Sequence, residues 1–143
     1  MMKISDDMID FIKSSEAFRS DVYICPAGFR TIGYGHLIGE AESITKITHD
    51  IALELLMHDI NLAEAAVLRL TRIELRQNQF DALVSFVFNL GSAAYQRSTL
   101  RSKVNRGEHE SVPSEFLRWV YANGKILKGL IARRKAEAEV YSG

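Results

Sequence analysis

Four side chains in the first quarter of the chain have types and spacing that could do chemistry: Glu16, Cys25, Thr31 and His36. Cleaving a glycosidic bond needs a proton donor for the leaving oxygen, and a group that positions water or stabilises an oxocarbenium-like transition state. A carboxyl group shielded from water favours its neutral, proton-bearing form, and Glu16 is the residue placed for that role. On its own a glutamate at a helix end carries no such meaning. The weight rests on the glycine-rich stretch that follows and bears the other three residues within reach.

Those residues depend on the elements around them. Met8, Ile9, Phe11 and Ile12 share a helical face between Asp6 and Ser15, and Asp6 and Asp7 suit the positive end of the helix dipole. Glu16 then lies at or just beyond the helix end. From Val22 to His36, β-branched and aromatic residues punctuated by Pro26, Gly28, Gly33 and Gly35 predict a short hairpin or small sheet, the only strand region expected. A helix end facing a hairpin makes a cleft. After a loop from Gly39 to Thr45, Thr48 is the N-cap of a long helix to about Leu70, carrying Ile51, Leu55, Leu62, Ala66 and Leu70. Beyond it the pattern is helical throughout: Gln77 to Leu90 stopped by Gly91, and Ser98 to Asn105 stopped by Gly107. An amphipathic run with Pro113 in its first turn leads to Trp119 and Tyr121, and a last helix runs from near Gly129 to near Tyr141. The expected fold is α+β, mainly α, in one domain over 1–143. It has a small N-terminal lobe over about 13–47, a linking helix over about 48–70 and a helical lobe over about 71–143.

Composition removes several function classes. With 143 residues, 47% of them apolar, the chain can bury one sizeable core. Its 18 basic and 18 acidic side chains cancel, so no global field draws it to a polyanion. A basic bias from Arg97 to Lys135 suits a negatively charged wall, and equally suits solvated helix faces. Nucleic-acid binding has no aromatic and basic motif behind it. Cys25 is the only cysteine, which excludes an internal disulfide and points to synthesis in a cytoplasm. A charged N-terminus and the lack of any apolar run near ~20 residues predict neither a signal peptide nor a membrane insertion. No metal or cofactor is expected, because His49 and His58 are nine apart and no His-Glu pair has ligand spacing on one helix face.

Residues 15–36, SEAFRSDVYICPAGFRTIGYGH, resemble the phage lysozymes of glycoside hydrolase family 24. Their pattern is Glu, eight residues, Asp or Cys, five residues, Thr, then a Gly-x-Gly-His turn. Glu16, Cys25, Thr31 and Gly33-Tyr34-Gly35-His36 match it without a gap. FVFNLG at 86–91, STLR at 98–101 and the stretch from Phe116 to Glu137 are similar to that family's helical lobe. The resemblance is nearest to endolysins of lambdoid-like phages and prophages. It implies a lysozyme-like fold and an N-acetylmuramidase that cuts the β-1,4 bond between N-acetylmuramic acid and N-acetylglucosamine in peptidoglycan, lysing the bacterial cell. Glu16 would be the acid, and Thr31 would hold a water for attack from the opposite face of the sugar, its hydroxyl both accepting and donating. Leu37, Phe88 and Thr99 match positions lining the cleft, although Phe88 equally suits a core face and Trp119 suits the core better than a sugar platform. Gly33 and Gly35 would allow tight turns and close approach of the sugar chain. His36 would order the hairpin through a buried ionic or hydrogen-bonded contact, and Arg133 or Arg134 would return to hold the Glu16 carboxylate. A monomer is expected, reaching the wall through the membrane lesion of a holin-type partner.

Cys25 stands where that family often has an aspartate. A thiol of reference pKa ~8.5 beside a carboxylate is expected to be mostly neutral at pH 7, so it cannot supply an aspartate's charge. Three roles are open: positioning water with Thr31, which is favoured; forming a sulfur-linked glycosyl intermediate; or packing only. Asp21 and Glu42 are alternative carboxylates outside the motif. Two rival functions stand beside the muramidase: a Cys-His peptidase or amidase using Cys25 with His36, His49, His58 or His109, and a catalytically dead wall-binding relative.

Overall fold

Residues 1–143 are described by a computed structural model. Helix α1 (Asp6–Glu16) starts at Ser5, whose hydroxyl accepts the Met8 amide at 3.2 Å, and buries Met8 and Ile12. Two carboxylates from distant helices fix its start. The Ile4 amide donates to Glu64 at 2.8 Å, and the Ser5 amide and hydroxyl donate to Asp81 at 3.0 and 2.5 Å.

The chain then forms an antiparallel sheet in the order β1 (Arg19–Ile24), β2 (Arg30–Gly33), β3 (His36–Leu37). Thr31 pairs with Tyr23 on one side and Leu37 on the other, and the β1–β2 register shifts between Arg19 and Tyr23. Along β2, Arg30 at the strand's start is exposed, while Thr31, Ile32 and Gly33 are buried, with Ile32 in the core.

Helix α2 (His49–Leu70) runs between the limits expected from its sequence, with the Thr48 side chain accepting from Ile51. Its buried face matches the expected one in part. Ala66 and Leu70 are buried and Leu55 packs against the core as expected, whereas Ile51 and Leu62 are exposed and Ala52, Leu56, Ile60, Ala63 and Val67 point inward instead. The helix is apolar on two adjacent stripes, and the one with unbroken three- and four-residue steps is the more deeply buried.

Helix α3 (Gln77–Leu90) is the central post, buried without interruption from Gln79 to Val87. Against it pack α1, α2, α4 (Ser92–Arg97) and α7 (Lys128–Ser142), while α5 (Thr99–Asn105), a short turn of 3₁₀ helix (His109–Ser111) and α6 (Val112–Phe116) link α4 to α7. One continuous apolar cluster runs from Ile32, Ile47 and Ala52 beneath the sheet, through Phe80 and Phe86 of α3, to Phe116 and Tyr141. Each such side chain contributes about 1.5–3 kcal/mol on burial. No helix is long and apolar enough to cross a membrane.

The C-terminal half is not wholly helical, contrary to expectation. Helix α6 has Pro113 in its first turn but ends at Phe116, and Tyr121 lies in a second hairpin, β4 (Tyr121–Ala122) with β5 (Lys125–Ile126). Its two-residue turn holds Asn123 and Gly124 at φ 51° and 75°. Positive φ at both positions is the type I′ geometry that Asn-Gly favours. Helix α4 was also unforeseen, its six residues being too short to show a period.

Candidate active site

Glu16 is the last residue of α1, and the backbone turns sharply after it. Ala17 sits at φ 56°, ψ 151°, a conformation that costs a residue with a β-carbon about 1–3 kcal/mol. The turn lets β1 start three residues after Glu16 and brings the β1–β2 hairpin back across the helix end.

Glu16, Tyr23, Cys25, Thr31, Gly35, Leu37, Phe88 and Asn89 line one cleft of about 360 Å³. Gly35, Leu37 and Phe88 also border an adjoining recess of about 420 Å³ reaching Leu62 and Arg69 of α2, so the two form a continuous groove. Leu62, on the exposed stripe of α2, lines this groove. At the other end the second hairpin meets the first, where the Asn123 side-chain amide donates to the Pro26 carbonyl at 2.8 Å.

The two Glu16 oxygens have different surroundings. Oε2 accepts from Nη1 of Arg133 at 2.5 Å, in a pair whose side chains are only 17% and 7% exposed. Oε1 lies against Gly35, where an added β-carbon would come within 2.5 Å of it. At φ +76°, Gly35 is required both by its backbone and by this close approach. Arg133 is itself oriented from behind, with Nε 3.4 Å from Glu137 and Nη2 donating to the Ser85 carbonyl at 3.3 Å. Of the two arginines expected to return to Glu16, Arg133 does so. Arg134 faces Glu137 and Asn89. Burial pushes Arg134 down to about 10, which leaves it protonated at neutral pH.

The hairpin supplies the other groups. Thr31 is 1% exposed, and its single hydroxyl proton can serve either the Phe29 carbonyl, 2.9 Å away, or the Cys25 sulfur, while its lone pairs can accept. Burial pushes the Cys25 thiol up, but hydrogen bonds from the Phe29 backbone, the Thr31 hydroxyl and the Ala27 and Gly28 backbones outweigh it and hold the thiol below its ordinary value. The turn's own donors, invisible in composition, favour the thiolate. Burial, with the charges of Glu16 and Cys25, pushes the neighbouring Tyr23 phenol up.

His36 is 12% exposed, and carboxylates flank both its ring nitrogens: Asp59 at 2.8 Å on Nδ1 and Glu42 at 3.3 Å on Nε2. Burial lowers its affinity for a proton, yet these two partners raise it overall. Gly33, at φ +68°, packs beneath the sheet, where an added β-carbon would lie 3.1 Å from Ile47. Thr99 does not join the cleft. It is the exposed first residue of α5, beyond α4 in the chain, and borders a separate recess with Glu115 and Trp119. Trp119 packs edge-on against Phe86, with ring centres 5.5 Å apart. Asn89, Tyr23 and the Asn123 contact were not anticipated. The Asn-Gly pair was the one available signal.

A short helix ending in a half-buried glutamate, a three-stranded sheet facing it across a groove and a helical body behind both define a lysozyme-like α+β protein. The phage lysozyme family model matches residues 13–137, and the chain belongs to that family. It is 39% identical over 148 residues to the endolysin of Acyrthosiphon pisum secondary endosymbiont phage 1, covering 98% of each chain. It is 36% identical over 142 residues to the endolysin of Bacillus phage B103, matching 98% of this chain but 54% of that protein. Among solved structures, the muramidase domain of SpmX from Asticaccaulis excentricus superposes with a TM-score of 0.87 at 35% identity, covering 100% of this chain and 99% of that one.

Proposed function

We propose that this protein is an endolysin-type muramidase, cutting the β-1,4 bond between N-acetylmuramic acid and N-acetylglucosamine in peptidoglycan. The observation that carries this reading is the division of labour at Glu16: Arg133 occupies Oε2, and Oε1 has no hydrogen-bond partner within the protein. A proton on Oε1 is the one available to the glycosidic oxygen of a glycan lying in the groove. Thr31 accepts one O–H of the attacking water, and the Cys25 sulfur accepts the other. The water's lone pair is then directed at the anomeric carbon.

In this reading 1–143 is one phage-lysozyme domain, with a small lobe over about 13–47, a linking helix over about 48–70 and a helical lobe over about 71–143. Leu37 and Phe88 bind the glycan, while Gly33, Gly35, His36 and Arg133 shape the site. The protein acts as a monomer, is made in the host cytoplasm and reaches the wall through a holin-type partner. A thiol peptidase is disfavoured because no histidine lines the cleft that holds Cys25: His36 is bound to Asp59 and Glu42, His49 to Tyr34 and His109 to Tyr141, and His58 is exposed on α2.

Digestion of purified peptidoglycan by wild type and Glu16→Gln, with mass analysis of the products, tests the reading. New reducing muramic ends from the wild type and none from the variant are expected. Cut peptide stems, or muramidase activity unchanged in the variant, would overturn it.

A further inference from the structure

Asn89 is the last residue but one of α3 and lines the groove beside Glu16. Its Oδ1 accepts from Nη2 of Arg134 at 2.6 Å. A guanidinium has donors and no acceptor, so the amide can face it only with its oxygen. Nδ2 and its two protons are therefore turned away from Arg134 and find no partner in the protein. The orientation is held firmly. Arg134 is 0% exposed, its guanidinium carbon lies 5.4 Å from the centre of the Phe86 ring, and its Nε is 2.8 Å from Oε1 of the fully buried Glu137. The second Glu137 oxygen accepts from Ser85 at 2.5 Å and faces Arg133, so one buried carboxylate orients both the arginine on Glu16 and the arginine on Asn89.

A fixed pair of N–H donors beside the acid, with Phe88, Leu90 and Leu130 lining the same cleft, suits a carbonyl attached to a methyl group. We propose that Asn89 is a substrate-binding residue that donates to the acetamido carbonyl of the sugar seated next to Glu16, while the leucines take its methyl group. This assignment rests on the muramidase reading and adds a specificity determinant to it. The buried Glu137–Arg134 pair acts through Asn89 as a positioning device.

The experiment compares wild type, Asn89→Ala and Asn89→Asp on soluble glycan strands of peptidoglycan, native and chemically N-deacetylated, by kcat/KM for release of reducing ends. Asn89→Asp keeps an acceptor for Arg134 and removes the donors, so its thermal midpoint stays near wild type. Wild type should prefer the native strands, and both variants should lose about tenfold or more of that preference, the worth of one donor left without its partner. Asn89→Asp retaining the wild-type preference would overturn the proposal, since a purely structural role needs only the Arg134 contact. So would a wild-type advantage over both variants of equal size on the two substrates, which would mean that Asn89 reads a hydroxyl common to both. Release of no reducing muramic ends by the wild type from either substrate would instead overturn the muramidase reading beneath it.

Discussion

Replacing Gly35 with alanine tests the geometry at its tightest point. A β-carbon there would lie 2.5 Å from Oε1 and 2.9 Å from Cδ of Glu16, whereas ordinary contact begins near 3.4 Å, so the carboxyl must retreat by about 0.9 Å. Retreat pulls Oε2 away from Arg133, which Glu137 and Ser85 hold in place. A displacement of that size at a reacting group costs about a hundredfold in kcat. The backbone adds its own penalty, because a left-handed conformation costs an alanine about 1–2 kcal/mol. For a chain of this length the thermal midpoint falls by roughly 3–8 °C. Gly107→Ala is the matched control: its φ is +72°, and no atom lies within 4 Å of the added carbon. The assay is reducing-end release from purified peptidoglycan at 25 °C, beside thermal melts of both variants. Both variants should melt earlier, and only Gly35→Ala should lose activity. Equal activity in the two variants, or a loss in Gly35→Ala that follows unfolding alone, would refute it.

Two further predictions concern titrating groups. Burial opposes the His36 charge, but Asp59 and Glu42 raise its pKa above the ordinary 6.5 in the fold. Its stabilisation is therefore fully present below that value and is lost as pH rises through the folded pKa. Denaturation of wild type and His36→Asn between about pH 6 and about pH 9 should show the wild-type advantage shrinking, and a pH-independent difference would count against the assignment. At Cys25 burial pushes up and the surrounding donors pull down, leaving the thiol below its ordinary 9.0. The rate of iodoacetamide alkylation should inflect below that pH and move upward in Thr31→Val, which removes one donor; an inflection at or above 9.0 in the wild type contradicts the hydrogen-bond account.

The readable parts of this fold are those fixed by neighbours in the chain. Thr48 as cap and Leu70 as last periodic residue marked the limits of α2, and Glu16, Cys25 and Thr31 fall within sixteen residues, where spacing carries information. Which arginine would meet Glu16 was not readable. Arg133 and Arg134 are adjacent on α7, about 100° apart around the helix, and only packing against α3 decides which faces α1. The buried face of α2 was readable only in part for a related reason, since two apolar stripes compete and Ile51 and Leu62 of one stay exposed, Leu62 in the groove. The second hairpin did announce itself in Asn123-Gly124, but its strands are two residues each, too short for alternation to show. Thr99 illustrates the limit of matching motifs, because a position in a pattern does not state which recess its helix faces.

Glu16 is held by residues far from it in the chain. Helix α1 is fixed at its start by Glu64 of α2 and Asp81 of α3, and at its end by Arg133 of α7, 117 residues away in the chain. Breaking either end would strand a buried charge, so α1 moves only with the helical body. Thr31 lies in the sheet and Cys25 in the turn after β1; this hairpin is joined to α1 by the strained Ala17 and meets the far side of the groove through the Asn123–Pro26 hydrogen bond. The sheet also packs on α2, with Ile32 in the common core and His36 held by Asp59. Glu16 and the hairpin residues Cys25 and Thr31 are therefore set against one framework, and the spacing between them is built into the fold before any glycan binds.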